Sequence, residues 1–339
     1  MTSKEIVLNT LNGKNSGRTA RQLWSLPWAD IFHRDELLSI IKDYPSDIMC
    51  ASAPLKEYPK AEKGNMFASG IATDAWGCIF ENMQRGIIGE VKQPIVTDDE
   101  WKDLSRVTIP EEWLTFDVAE VNLNIDKNYK DMFVFGGCCP RPFEQLQFIR
   151  GTENLYVDLM DRPSGFMAFL ERMHDFYCRL IKKWTLTKAD GLTFMDDWGS
   201  QKSLLINPKI WDELFRPMYR DYIDIAHKAY KKVFMHSDGY TLDIIPRLID
   251  IGLDAFNTQI FCMGMEDLRQ FKGKITFWGE VDRQNLLPYG SKNDIYNAVK
   301  KVYDNLYDGG YCIAQCEFGI GAKPENVCEV FRAWNELTR

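Results

Sequence analysis

The chain has 339 residues, a net charge of −8 and no run of five basic residues, so it lacks the electrostatic footprint of a nucleic-acid-binding protein. No stretch approaches the roughly 18 apolar residues that span a bilayer, and the N-terminus has no signal-peptide core, so we expect a cytoplasmic protein without a membrane partner. Nine cysteines without regular spacing or a C-x-x-C pair argue against a disulfide framework and a zinc ribbon.

The first 46 residues are predicted to form a helical segment. Apolar periodicity predicts helices over Ser3–Leu11 and Arg34–Asp43. Between them lies the apolar stretch RTARQLWSLPWAD, which contains Pro27. We expect this stretch to be irregular and to pack against the mouth of the domain rather than join a sheet.

A first buried strand is predicted at residues 47–51 (DIMCA), and a large insertion follows it over residues 53–130. Within the insertion, residues 67–91 alternate aromatic and branched residues with glycines, as a β-ribbon does. The acidic start of DDEWKDL predicts a helix. Ribbon and helix are expected to cover one rim of the fold.

Beyond residue 131, short apolar runs alternate with amphipathic helices, which is the pattern of parallel βαβ units. DIMCA and six later runs give seven strands, the later ones being MFVFGG, GLTFMDD, KVFMHSDG, DAFNTQ, ITFWGEVD and YCIAQCE. An eighth strand is expected in the helical stretch at 155–183 or in the insertion. No Gly-x-Gly-x-x-Gly follows a strand, which disfavours a Rossmann fold. The prediction is an α/β fold, a (β/α)8 TIM barrel forming one domain over residues 1–339.

Polar residues end several of these apolar runs, and in a parallel barrel the active site lies at the carboxyl ends of the strands. Imidazole, carboxylate and thiol donors on three nearby strands suit a zinc ion. The predicted metal ligands are His236, Asp238, Glu280 and Cys316. The structural alternative is that the imidazole hydrogen-bonds a loop, the carboxylates cap helices and the thiol is inert.

Other residues at these strand ends are candidates for catalysis or substrate binding. The candidate acids and bases are Asp196, Asp197 and Glu317, with helix capping as the alternative for the adjacent pair. The expected substrate contacts are Trp198, Gln259 and Trp278, with core packing as the alternative for Trp198.

The segment that begins at the end of MFVFGG contains two cysteines and two arginines that are further candidates for a functional role. Cys138 and Cys139 are adjacent, and such neighbours are more often separate thiols than a redox pair. Arg141 and Arg150 are expected either to anchor a carboxylate or to form surface or structural ion pairs.

Eight motifs together point to a known superfamily, namely RQLWSLPWA, YPSDI, TDAWGCIFENMQRGIIGEVKQP, PFEQLQFIRGTENLYVDLMDRP, DDWGSQKSLLINPKIWDELFRPMY, KKVFMHSDG, WGEVDRQNLLPYG and CEFGIGAKPENV. From about residue 20 to its C-terminus, the chain resembles the uroporphyrinogen decarboxylase superfamily, and within it the zinc-dependent methyltransferases that serve corrinoid proteins. True uroporphyrinogen decarboxylases carry an Arg-rich N-terminal motif and an aspartate after the first strand. Here RQLWSLPWA and Ala53-Pro54 stand in their places, so porphyrinogen decarboxylation is not expected.

The resemblance implies a specific set of zinc ligands. The methyltransferases of this superfamily bind zinc through a His-x-Cys pair at the end of one strand and a second cysteine at the end of the last strand. His236 matches the histidine and Cys316 the distal cysteine, whereas Asp238 replaces the first cysteine. Glu280 stands where related sequences commonly have glycine, so whether Asp238 or Glu280 completes the site stays open. A carboxylate in place of a thiolate makes zinc a harder Lewis acid and favours an oxygen-linked substrate.

We therefore expect a methyltransferase that moves a methyl group from an O-methyl or similar small donor, such as an aryl methyl ether, to cob(I)alamin supplied by a partner corrinoid protein. One alternative is a metal-free, decarboxylase-like lyase that acts on a small carboxylic acid. Another is a non-catalytic barrel that binds a small molecule or a corrinoid partner. The identity of the donor and the oligomeric state are not predicted.

Overall fold

The computed structural model describes residues 1–339. Its β-strands are β1 (Arg21–Ser25), β2 (Ile48–Cys50), β3 (Gly70–Thr73), β4 (Ile79–Asn82), β5 (Glu90–Val91), β6 (Phe133–Gly136), β7 (Gly191–Met195), β8 (Lys232–Ser237), β9 (Ala255–Thr258), β10 (Thr276–Trp278) and β11 (Cys312–Phe318). Its α-helices are α1 (Ser3–Leu11), α2 (Pro27–Phe32), α3 (Arg34–Asp43), α4 (Val118–Asn128), α5 (Pro142–Arg150), α6 (Thr152–Asp161), α7 (Ser164–Thr185), α8 (Pro208–Ile210), α9 (Arg216–Lys228), α10 (Ile245–Asp250), α11 (Met265–Leu268), α12 (Leu286–Tyr289), α13 (Lys292–Leu306) and α14 (Pro324–Leu337). Single 3-10 turns lie at Glu111–Leu114, Ile260–Cys262 and Arg269–Phe271, and a π-helical turn at Trp211–Phe215 precedes α9.

Eight parallel strands form one sheet in the order β1-β11-β10-β9-β8-β7-β6-β2, which confirms the predicted (β/α)8 barrel. The two end strands, β1 and β2, come together at Asp47. Its backbone N–H donates to the Arg21 carbonyl at 2.9 Å, and its carboxylate accepts the Arg21 N–H at 2.9 Å. The same buried carboxylate pairs with the Arg18 guanidinium at 2.6 Å, so a single side chain bridges the two edges of the barrel.

The eighth strand is β1, inside the segment that was expected to be irregular, and that expectation is wrong. Residues Arg21–Ser25 pair with β11 over five register positions, from Arg21 opposite Ala314 to Ser25 opposite Phe318. Pro27 does not interrupt the strand because it lies beyond its end, at the first turn of α2, where a missing N–H costs nothing. The insertion over residues 53–130 therefore follows the second barrel strand.

The insertion contains the predicted β-ribbon but not the predicted helix at DDEWKDL. Strands β3, β4 and β5 form an antiparallel sheet, as expected. The Asp98 carboxylate instead accepts the backbone N–H groups of Lys102 at 2.9 Å and Asp103 at 3.1 Å, and Trp101 has a left-handed φ of 55°. These side-chain hydrogen bonds take the place of helical backbone hydrogen bonds, so the segment forms a tight loop instead of a helix. The helix of the insertion is α4, capped by Asp117.

Alternate side chains of the barrel strands point inward and outward, and the inward ones fill the lower barrel. The interior cluster comprises Ile48, Phe133, Phe135, Phe234, Ala255, Trp278 and Ile313. Helix α1 closes the end of the barrel where the strands begin, because its Ile6, Val7 and Leu11 pack into the same cluster. Polar groups at the opposite, carboxyl end of the strands thus sit over a closed apolar floor. None of the helices has the length and apolar character needed to cross a membrane.

Candidate active site

A polar centre lies over this floor, and the strand alternation decides which side chains reach it. Phe234 faces the interior and Met235 the helices, so His236 faces inward. By the same alternation Asn257, two positions beyond the interior Ala255, points into the barrel. The His236 Nδ1 lies 2.6 Å from the Asn257 Oδ1. Because the Asn257 amide nitrogen donates to the Trp278 carbonyl, its oxygen is the acceptor, and Nδ1–H is the donor.

This hydrogen bond leaves the His236 Nε2 facing two carboxylates. Nε2 lies 3.5 Å from the Asp238 Oδ1 and 3.7 Å from the Asp197 Oδ1. One potential ligand atom from each of the three residues lies within 4.8 Å of the others. Burial opposes a positive charge on the imidazole, but the two carboxylates outweigh it and raise the pKa of His236. The three side chains form a compact group of donors that suits a cation.

Close backbone contact between two loops holds the carboxylates in place. Asp197 accepts the Asp238 N–H at 2.8 Å, and the Asp238 carbonyl accepts the Gly199 N–H at 3.1 Å. Gly239 has a φ of +79°, and a Cβ at this residue would collide with the Gly199 carbonyl. Glycine is needed here because the ends of β7 and β8 approach backbone to backbone.

Arg283 forms ion pairs with three carboxylates on the other side of the centre. Its guanidinium donates to the Asp238 Oδ2, lies 3.2 Å from the Glu317 Oε2 and 3.4 Å from the Glu280 Oε1. Burial opposes the charge, but the carboxylates prevail and raise the pKa of Arg283. Asp238 therefore presents one oxygen to Arg283 and the other to His236 and to the Gln259 amide, which donates to it at 3.1 Å.

Glu280 is buried to 2% exposure, and its Oε2 has no hydrogen-bond partner. Burial raises its pKa to about 7, while Arg283 opposes the rise. The Gln315 side chain is also buried without a partner for either its oxygen or its nitrogen. Buried polar atoms are normally satisfied, so these orphaned groups mark a place where a bound molecule or ion would supply the partner. Of the four carboxylates in the centre, those of Asp238, Glu280 and Glu317 pair with Arg283, whereas Asp197 lies nearest to His236.

The structure does not bring Cys316 to this group. Cys312, Ala314, Cys316 and Phe318 pack in the layer between the barrel and the helices, whereas the intervening Ile313 lies in the interior cluster. The next residue, Glu317, therefore points into the mouth and pairs with Arg283. Burial raises the pKa of the Cys316 thiol well above its usual value. Of the four predicted ligands, His236 and Asp238 meet, Glu280 pairs with Arg283, and Cys316 is on the opposite face of β11.

Asp196 also faces away from the mouth. Its carboxylate accepts the backbone N–H groups of Phe143 at 3.0 Å and Glu144 at 2.7 Å, and the Tyr219 hydroxyl donates to it. Burial raises its pKa to about 8 against the effect of these donors. The side chain thus fastens the start of α5 and α9 to the barrel, and of the adjacent aspartates only Asp197 reaches the polar centre.

The three predicted substrate contacts have different surroundings. Trp198 is fully buried and stacks on Phe143 at 4.3 Å, outside the mouth. Trp278 lies in the barrel floor, where its Nε1 donates to the Gln22 oxygen at 2.9 Å. Gln259 contacts Asp238 and so lies within the centre.

Sequence reasoning missed several residues of the site. Trp24 of β1 lies 5.4 Å from the His236 ring and 5.0 Å from the Trp278 ring, but it sat in the segment not assigned to the sheet. Asn257 could have been found from the period-two alternation of Ala255, Asn257 and Gln259. Arg283 follows β10 by several residues, and no local pattern marks it.

The two arginines that follow β6 have separate roles. Arg150 is 1% exposed and pairs with Asp158 at 2.7 Å and Asp99 at 2.8 Å, which makes it a structural ion pair. Arg141 pairs with Glu144 at 3.2 Å. Burial raises the pKa of Glu144, Arg141 lowers it, and the charges of Asp197 and His236 also act on it. The Arg141–Glu144 pair therefore lies at the edge of the polar centre.

A protein of known structure shares this architecture. A methyltransferase from Methanosarcina mazei superposes with a TM-score of 0.69 over 99% of both chains at 15% sequence identity, and so shares the fold. A dihydropteroate synthase from Xanthomonas albilineans aligns over 48% of this chain and 58% of its own, with a TM-score of 0.31 and 8% identity. No curated protein matches the sequence. The uroporphyrinogen decarboxylase (URO-D) family model matches residues 67–337, which is most of the chain. The chain belongs to the uroporphyrinogen decarboxylase family.

Proposed function

We propose that the chain is a metal-dependent methyltransferase that moves a methyl group from an O-methyl or similar small donor to the cob(I)alamin of a partner corrinoid protein. The observation that carries the proposal is the group formed by Asp197, His236 and Asp238 at the mouth of the barrel. The shared fold with the Methanosarcina mazei methyltransferase is consistent with it.

The donor atoms of this group fit a divalent ion. One imidazole nitrogen and two carboxylates are ligands that zinc accepts, and the nitrogen is already oriented by its hydrogen bond to Asn257. The surrounding charge also fits, because the carboxylates of Asp197, Asp238 and Glu317 outnumber the Arg283 guanidinium even when Glu280 is protonated. We therefore assign Asp197, His236 and Asp238 as the ligands, while Glu280 and Glu317 pair with Arg283.

A site without thiolate favours an oxygen leaving group. Cys316 lies on the other face of β11, so the proposed set has only nitrogen and oxygen donors, and a bound zinc ion would polarise the oxygen of the substrate. The methyl carbon–oxygen bond breaks with its electron pair on oxygen, which then takes up a proton. We assign that proton to Glu280, whose Oε2 is buried and unpartnered, rather than to Asp196, which serves α5 and α9.

Metal analysis tests the ligand assignment directly. Protein purified without chelator is expected to contain about one zinc per chain, and His236→Ala and Asp238→Asn should each lose it. Cys316→Ser is the matched control, which should keep the metal because it removes a buried sulfur that faces the helices. Loss of zinc in Cys316→Ser with retained zinc in His236→Ala would contradict the assignment.

Turnover tests the reaction. We expect methylation of cob(I)alamin on a corrinoid protein with one or more donors from a panel of methoxylated aromatics, and its loss in His236→Ala. Wild-type protein with less than about a tenth of an equivalent of zinc, unchanged after zinc is added back, would instead support the metal-free lyase. Corrinoid-protein binding without turnover on any donor would support the non-catalytic barrel.

A further inference from the structure

A second cavity, separate from the proposed metal ligands, lies where β2 and β6 end. Its volume is about 370 Å³. The walls are apolar and come from the insertion and from α7, where Phe116 and Trp184 pack with their rings 4.7 Å apart. The wall also includes Leu180, Ala53 and Arg141.

Arg141 is the only charged residue in this apolar wall. Its guanidinium makes one hydrogen bond, from Nη1 to the Glu144 Oε2 at 3.2 Å, although an arginine side chain has five N–H donors. Burial opposes its charge, but Glu144 outweighs burial and raises the pKa of Arg141, so the group stays cationic. Arg141 thus pairs with one carboxylate and keeps most of its N–H donors free beside an apolar cavity, so it can bind a second carboxylate.

We propose that this cavity binds a small apolar monocarboxylate, with the carboxylate on Arg141 and the hydrocarbon part against Phe116, Trp184 and Leu180. A cavity of about 150 Å³ already accepts benzene, so the observed volume accommodates a substituted ring and its carboxylate. The carboxylate supplies two acceptors in the planar arrangement that matches a guanidinium. The inference concerns binding alone and stands whether or not methyl transfer is confirmed.

Calorimetric binding of two aromatic probes to the full chain as purified tests the proposal. The probes are para-methoxybenzoate and its neutral amide, para-methoxybenzamide, which differ in charge but hardly in shape. Wild-type protein should bind the acid about ten- to hundredfold more tightly than the amide, since a hydrogen bond to a charged group contributes that much. Arg141→Gln should abolish the difference. Arg172→Gln removes an exposed arginine elsewhere on α7 and should preserve it.

A second variant tests whether a loss of acid binding could result from misfolding. Ala53→Trp places a bulky side chain in the wall of the cavity, and it should abolish binding of the acid while circular dichroism stays that of the wild type. The proposal is overturned if wild-type protein binds acid and amide equally or binds no acid at millimolar concentration. It is also overturned if folded Arg141→Gln retains the preference, or if Ala53→Trp binds the acid as the wild type does.

Discussion

Replacing Asp196 by alanine removes the acceptor for three buried donors at once. The N–H groups of Phe143 and Glu144 and the hydroxyl of Tyr219 all point at this carboxylate, which is fully buried. Each donor left unsatisfied in the interior costs about 1 to 3 kcal/mol. Water can enter part of the space that the carboxyl group vacates, so we expect a loss of about 3 to 6 kcal/mol in the free energy of unfolding.

The neighbouring Asp197→Ala is the matched comparison. Its carboxylate is one-third exposed and accepts one backbone N–H, from Asp238 at 2.8 Å, so its loss should cost about 1 kcal/mol. Urea unfolding followed by tryptophan fluorescence should show a large midpoint shift for Asp196→Ala and a small one for Asp197→Ala. Zinc content should change in the opposite order, with Asp197→Ala losing metal. Equal midpoints for the two variants, or zinc lost from an Asp196→Ala protein of wild-type stability, would refute the reasoning.

Three further predictions follow from single contacts. Asn257→Ala frees the Nδ1 of His236 and should weaken zinc binding about 10- to 100-fold, measured by competition with a chromophoric chelator, whereas unchanged affinity would show that the amide does not orient the ring. Asp47→Ala leaves a guanidinium without its partner at the junction of β1 and β2 and should cost about 3 to 5 kcal/mol in urea unfolding, and a loss below about 1 kcal/mol would contradict its bridging role. Gly239→Ala should be far more destabilising than Gly17→Ala, because both glycines have a φ of +79° but only the former would meet another backbone, so similar melting temperatures would argue against the close loop contact.

The sequence predicts most of the barrel because seven of its strands are continuous apolar runs with helices between them. It fails at β1, whose residues RQLWS mix charged, polar and aromatic side chains. That mixture arises because Arg21 reaches the Pro45 carbonyl on the outside while Trp24 faces the interior cluster. Composition alone does not separate such a strand from an aromatic loop, and pairing with β11 supplies what local propensity lacks.

At the candidate site, the sequence-based prediction is wrong by one residue. Sequence reasoning located the correct strand ends, but it could not decide which of two adjacent residues points inward. The pleat gives Asp197 and Glu317 to the mouth and Asp196 and Cys316 to the helix layer. The family resemblance, which matches residue types, points to the Cys316 thiol as the group in the mouth. The alternation of side chains along β11 instead places the Glu317 carboxylate there.

The pairing of β1 with β11 has a consequence for how the protein is made. β1 and β11 are the first and last strands of the barrel along the sequence, so the barrel closes only after β11 has been synthesised. Contacts of such long sequence separation form late and slowly. Until then the Trp24 ring has no fixed position beside His236. The polar centre is therefore completed by the last strand to emerge from the ribosome, and a chain cut short before β11 would lack a finished site even though Asp197, His236 and Asp238 were already present.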